Sequence, residues 1–208
     1  MPATVDALLP LSLLEAVRDV DKPADLDSEF VDELRNKRLG LSDTVYLQIK
    51  RYAELVRKGQ RAQHDESVAL ARLIGRRPDA EHVFRAAGCY LAREAYGTIN
   101  FISRKMLRLL PSMIARPLAL RRTRAIAQRY LGGAVRRVGG YVLLDVPHSV
   151  TLNTGPGTVG CSFYEAMLRE LLALLIGGVG SVDHVRCAGR SEGTCEWRAD
   201  WKTFEAGA

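Results

Sequence analysis

Four cysteines and four histidines carry most of the chemistry available to this 208-residue chain. Three of the cysteines, Cys161, Cys187 and Cys195, lie close together near its end. Cys187 and Cys195 flank a turn-forming stretch, Gly189-Arg190-Ser191-Glu192-Gly193. A hairpin centred on Ser191 sets Cys187 opposite Cys195, Arg186 opposite Glu196 and Val185 opposite Trp197. Facing residues of such a hairpin have Cβ atoms about 5 Å apart. Two thiols at that spacing form a disulfide or bind a soft cation. Under reducing conditions the cation is preferred, and zinc with a tetrahedron of Cys and His ligands is the expected one. Cys161 is a candidate third ligand. His184 is a candidate fourth, but a regular strand turns residues 184 and 187 to opposite faces unless a bulge intervenes. Asp183 has the right parity, and Glu165 lies one helical turn beyond Cys161, so the fourth ligand stays open on spacing alone. The competing reading is that a buried free cysteine is simply a small hydrophobe.

The elements that must position these groups are legible in outline. Leu8, Leu9, Leu13, Leu14 and Val17 have helical spacing, but Pro10 predicts a break, leaving a short docking helix. An acidic linker-like stretch follows from Asp19 to Glu33. Ser42-Asp43 caps a helix running to about Lys58, and a second is predicted from Asp65 to Ile74. Pro78 opens another that carries Val83, Phe84, Ala87, Tyr90 and Leu91. Ile99–Ile114 is apolar but interrupted by Pro111, and Pro117 restarts a basic helix over Leu118–Leu131. The period then changes. Ala134–Val138 and Tyr141–Val146 read as strands around Gly139-Gly140, and His148–Leu152 as a third strand or extended segment. Gly155-Pro156-Gly157-Thr158-Val159-Gly160 has no lysine beside it, so it reads as a loop that turns sharply into Cys161 rather than as an anion cradle. Cys161–Ile176 is apolar on nearly every side and is predicted to be a buried helix ended by Gly177-Gly178. Val182–Ala188 and Thr194–Trp201 form the last hairpin. Helices that run together with strands clustered late predict an α+β fold with an antiparallel sheet packed on helices.

Apolar residues make up 47% and charged residues 26%, which excludes a disordered chain, a collagenous repeat and a disulfide scaffold. No positively charged region precedes the first apolar stretch, and no apolar run approaches the length of a membrane helix, so a cytoplasmic protein with reduced thiols is expected. The formal charge is +6, unevenly spread. Ten of the 30 Lys and Arg fall between Glu94 and Asp145, where there is no Asp or Glu at all; the other 20 face 24 acidic residues. Arg121, Arg122, Arg124 and Arg129 mark this block as a candidate surface for an anionic ligand, a protein partner, an acidic membrane or the chain's own acidic N-terminal part. Slight aromatic interleaving and the lack of a helix-turn-helix pattern argue against nucleic acid. His64 and His82 sit beside Asp65 and Glu81 and read as exposed. No nucleophile–base, metalloprotease or phosphate-loop motif appears.

Cys161, then His184-Val185-Arg186-Cys187, then Gly193-Thr194-Cys195-Glu196-Trp197, resembles the C-terminal signature of the 4-vinyl reductase domain family. The resemblance covers roughly residues 80–204. That family shares its fold with TRAPP-type vesicle-tethering subunits and with the sensory domains of phenol-responsive bacterial activators. It implies a TRAPP-like α/β sandwich, often a homodimer, preceded here by an N-terminal helical extension over residues 1–75, with the ligand-binding domain over residues 76–208. It also implies a zinc site on Cys161, Cys187 and Cys195. A carboxylate completes that site in the sensors, at the position held here by His184, a chemically competent departure. Tyr141, His148 and the face carrying Trp197 and Trp201 are candidate pocket residues, against the plainer reading of core packing. Three functions follow as expectations: a non-catalytic small-molecule-binding or sensory domain with structural zinc, an assembly module, or a tetrapyrrole-binding protein.

Overall fold

The computed structural model describes residues 3–22, 39–177 and 180–200. Among these it holds seven α-helices and two small antiparallel sheets, a mixed α+β architecture. The acidic stretch Asp19–Glu33 lies mostly outside the described residues, and Trp201 entirely so.

Helix α1, Leu8–Asp21, is longer than Pro10 suggested. Pro10 sits in the first turn, where backbone N–H groups have no intrahelical partner to lose. The Leu8 N–H is satisfied by Asp6 Oδ1 at 3.0 Å. Leu8, Leu9, Leu13 and Val17 are all buried, so α1 is a core element. Helix α2, Asp43–Arg57, starts at Ser42, whose Oγ accepts from the Val45 N–H at 3.4 Å. A three-residue ribbon then pairs β1, Thr4–Asp6, with β2, Arg61–Gln63. Helix α3, His64–Gly75, follows directly, and its His64 is buried rather than exposed because the ribbon carries it inward.

Helix α4, Ala80–Gly97, is the central helix. It packs against α1 on one side and against α7, Ser162–Ile176, on the other. The second crossing is close: a Cβ on Gly88 would lie 2.2 Å from the Phe163 carbonyl oxygen. Where the chain passes from α3 into α4, Arg77 forks onto Asp21 at 2.6 and 2.9 Å and onto Asp79 at 2.8 Å. Gly75 meets the backbone of Thr154 with no room for a Cβ. Residues on both sides of position 75 therefore share one apolar core.

Helix α5, Phe101–Leu109, stops before Pro111 as its sequence requires. Helix α6, Ser112–Ile126, begins earlier than expected and contains Pro117. That proline forgoes one bond to the carbonyl of Met113, a residue 87% exposed, where water can take the bond instead. Ala127–Leu131 winds on as one π-helical turn, and Gly132, at φ 61°, ends it. The hairpin β3, Ala134–Val138, and β4, Tyr141–Val146, turns on Gly139 at φ 57°. His148–Leu152 forms turns instead of a strand, because its backbone bonds go elsewhere. The Val150 N–H is taken by the Tyr164 hydroxyl at 3.1 Å and the Leu152 N–H by the Ser149 carbonyl at 3.4 Å. The last strands, β5, Val182–Arg186, and β6, Cys195–Asp200, complete a sheet of order β3-β4-β6-β5. Val142, Leu144, Trp197 and Ala199 are among its buried residues, and Trp197 meets Tyr164 of α7 at 4.9 Å between ring centroids.

Candidate metal centre

One ligand atom from each of Cys161, His184, Cys187 and Cys195 lies within 4.8 Å of the others. Three separate pieces of chain bring them there. Cys161 closes a short 3-10 turn, Val159–Cys161, at the start of α7. The loop before it admits no side chain at Gly160: a Cβ would lie 2.0 Å from the Thr151 carbonyl oxygen. Thr151 Oγ1 donates to the Gly160 carbonyl at 2.6 Å, and Thr154 Oγ1 donates to the Thr151 carbonyl at 2.8 Å. The sharp turn into Cys161 is thus locked by glycine and two threonines.

The last hairpin supplies the other three. Arg186 faces Glu196 as predicted, but His184 faces Trp197 where Val185 was expected. The register shifts between His184 and Arg186, so Val185 is the extra residue of a bulge. That bulge brings His184 onto the face of Cys187. The same shift turns Asp183 outward, where it lies 3.6 Å from Arg198. Glu165 is bonded to Arg85 at 2.9 Å and Arg169 at 3.0 Å. Neither carboxylate joins the cluster.

The electrostatics favour a cation. Cys161, Cys187 and Cys195 are buried free thiols, with Cys161 Sγ 4.0 Å from Cys187 Sγ. The hydrogen bond from Cys161 pushes the Cys195 thiol down to about 4 against its burial, aided by His184 and by the Ala188 N–H, which donates to Cys195 Sγ at 3.4 Å. The same bond, with burial, pushes Cys161 up. A divalent cation binds these cysteines as thiolates, so its binding releases the protons that the thiols hold. His184 Nε2 is buried with no hydrogen-bond partner among the described residues. Its ring stacks on Trp197 at 4.9 Å and 15°. Glu192 Oε2 accepts the Cys187 N–H at 2.8 Å, which fixes the turn between the two hairpin cysteines.

The donor set suits zinc. A tetrahedron with Zn–S bonds of about 2.3 Å has edges of about 3.8 Å, so the observed spread needs only a small contraction. Four protein ligands fill a closed, structural site rather than leaving an open catalytic position.

The remaining predicted residues are scattered. Trp197 is fully buried between Tyr164 and His184, a packing role that also braces a ligand. Tyr141 is exposed at the start of the inner strand β4, beneath Arg198. His148 lines a separate cleft of about 120 Å³ with Arg61 and Tyr130. Arg121 and Arg122 are exposed, while Arg124 Nε donates to the Val135 carbonyl at 3.0 Å. Arg129 stacks on Tyr130 and lies 3.8 Å from the N-terminal acid Asp6. The fourth cysteine, Cys89, is half-buried on α4, outside the cluster.

Sequence reading missed a polar cleft of about 180 Å³ beside the cluster. Glu81, Arg85, Ser162 and Glu165 line it, and Cys161 and His184 form its inner wall. The i, i+4 pair Glu81–Arg85 was its only local signal. No helix among the described residues is long and apolar enough to cross a membrane. Comparison with family models, with curated proteins and with solved structures returns no match.

Proposed function

We propose that this chain is a non-catalytic ligand-binding or sensory domain whose fold is stapled by a structural zinc. The observation that carries the proposal is the convergence of Cys161, His184, Cys187 and Cys195 within 4.8 Å. A zinc ion held there ties the start of α7 to both strands of the last hairpin. It thereby stiffens one wall of the cleft lined by Arg85, Glu165 and His184. The resemblance of the cysteine pattern to the 4-vinyl reductase domain family supports the same reading, with a TRAPP-like sandwich and a homodimer as its finer form. The mixed α+β architecture and antiparallel sheet agree with that form at the coarse level.

The test has two arms. Treatment with a strong zinc chelator should lower the melting temperature of the purified protein by about 10 °C or more, and added zinc should restore it. An unchanged melt sinks the structural role. Protein taken directly from cells, denatured and analysed by mass spectrometry, should release a defined small molecule. Release of none, from protein that retains its zinc, counts against the binding role.

A further inference from the structure

The strongest feature outside the metal centre is the corner between α5 and α6. Phe101 is 67% exposed, Ile102 65%, Met106 50%, Leu109 74%, Met113 87% and Ile114 55%. Soluble chains scatter such residues singly and seldom gather six in so short a span. The helix is nevertheless anchored, because Leu107 on its opposite side is buried at 3% exposure. Ile102, Met106 and Leu109 fall at i, i+4 and i+7, one outward stripe of α5. Lys105 projects from the same outward arc, between Phe101 and Leu109 in angle, and is exposed. Exposed Arg121 and Arg122 follow on α6, and neither helix contains an acid.

We infer that the α5–α6 corner docks on an anionic lipid surface, its apolar side chains entering the headgroup boundary and its cations meeting lipid phosphates. The charge pattern selects this occupant. A second copy of the chain meeting the same face through a two-fold axis would set lysine and arginine against lysine and arginine, with no carboxylate from either helix to offset them. An anionic bilayer supplies both an apolar interior and negative charge. Helix α5, at nine residues, is too short to span a bilayer and suits a position in its surface plane. The inference is independent of the zinc reading, since the corner and the metal ligands share no residue.

Flotation of the full chain with phosphatidylcholine vesicles, with and without phosphatidylglycerol, tests it. Binding should require the anionic lipid and fall as salt rises. The variant Phe101→Ser/Leu109→Ser/Met113→Ser changes only exposed positions and should melt as the parent does. It should bind anionic vesicles at least about tenfold more weakly. Lys105→Glu/Arg121→Glu/Arg122→Glu should lose binding as well. Absence of binding at low salt, or unchanged binding by the serine variant, overturns the inference. So does a serine variant that converts a solution dimer to monomer while vesicle binding is unaffected, which would assign the corner to self-association.

Discussion

At the residue scale, His184 depends on Val185 and Trp197. Val185 bulges out of the ladder, and Trp197 offers the face on which the imidazole stacks. The three cysteines were legible in the sequence because hairpin pairing brings Cys187 to Cys195. The bulge was not, since nothing in Asp183-His184-Val185-Arg186 marks one local register over another. It forms where the ladder must satisfy both the Arg186–Glu196 pair and the buried Trp197. Substitutions should separate these roles in competition with a chromogenic chelator. Cys195→Ser should abolish tight zinc binding. His184→Ala should weaken it about tenfold to a hundredfold while the hairpin persists, and His184→Asp should recover part of the loss. Trp197→Ala should destabilise the protein by about 3–5 kcal/mol in urea unfolding and loosen zinc at the same time, because one side chain serves core and ligand.

At the element scale, one glycine and one arginine set how the helices meet. Glycine is unfavourable inside a helix, yet Gly88 is what lets α4 approach α7. Gly88→Ala should destabilise by about 2–3 kcal/mol, although alanine is the better helix former by about 1 kcal/mol. The Arg77 fork joins the end of α1 to the corner before α4. Burial opposes the charge on Asp21, but the Arg77 guanidinium and the Gly40 N–H outweigh it and hold the carboxyl below its ordinary value; Arg77 does the same for Asp79. Depressed carboxyl values stabilise the fold above the unfolded value near 3.8, and that stabilisation is lost as pH falls through the folded values. Melting followed from about pH 6 to about pH 3 should therefore show a steeper acid loss in the parent than in Arg77→Ala. At neutral pH that substitution should cost about 2–3 kcal/mol, since it removes two charge-assisted hydrogen bonds from the buried Asp21 carboxylate.

At the scale of the whole molecule, helix identity and the buried position of α7 were legible from the apolar pattern, but the buried position of α1 was not. Pro10 made α1 look like a minor docking segment, whereas its leucines cover one side of α4. The β1–β2 ribbon is too short to leave a periodic signal, and only tertiary packing explains it. A chain starting at residue 76 would expose the α4 face that α1 covers. It should show molten near-ultraviolet dichroism and a broad, weakly cooperative melt; a sharp melt would mean that residues 76–208 fold alone. Within the basic block, Arg124 bonds to the Val135 carbonyl and Arg129 lies near Asp6, while Lys105, Arg121 and Arg122 are exposed along α5 and α6. Zinc binding by the three cysteines and His184 is tested by zinc K-edge X-ray absorption on protein purified without a tag, with metal content determined on the same sample. One zinc per chain, bound by three sulfurs at about 2.3 Å and one nitrogen at about 2.0 Å, is the expected result. Zinc well below one equivalent, or a first shell of oxygen and nitrogen without sulfur, would contradict it.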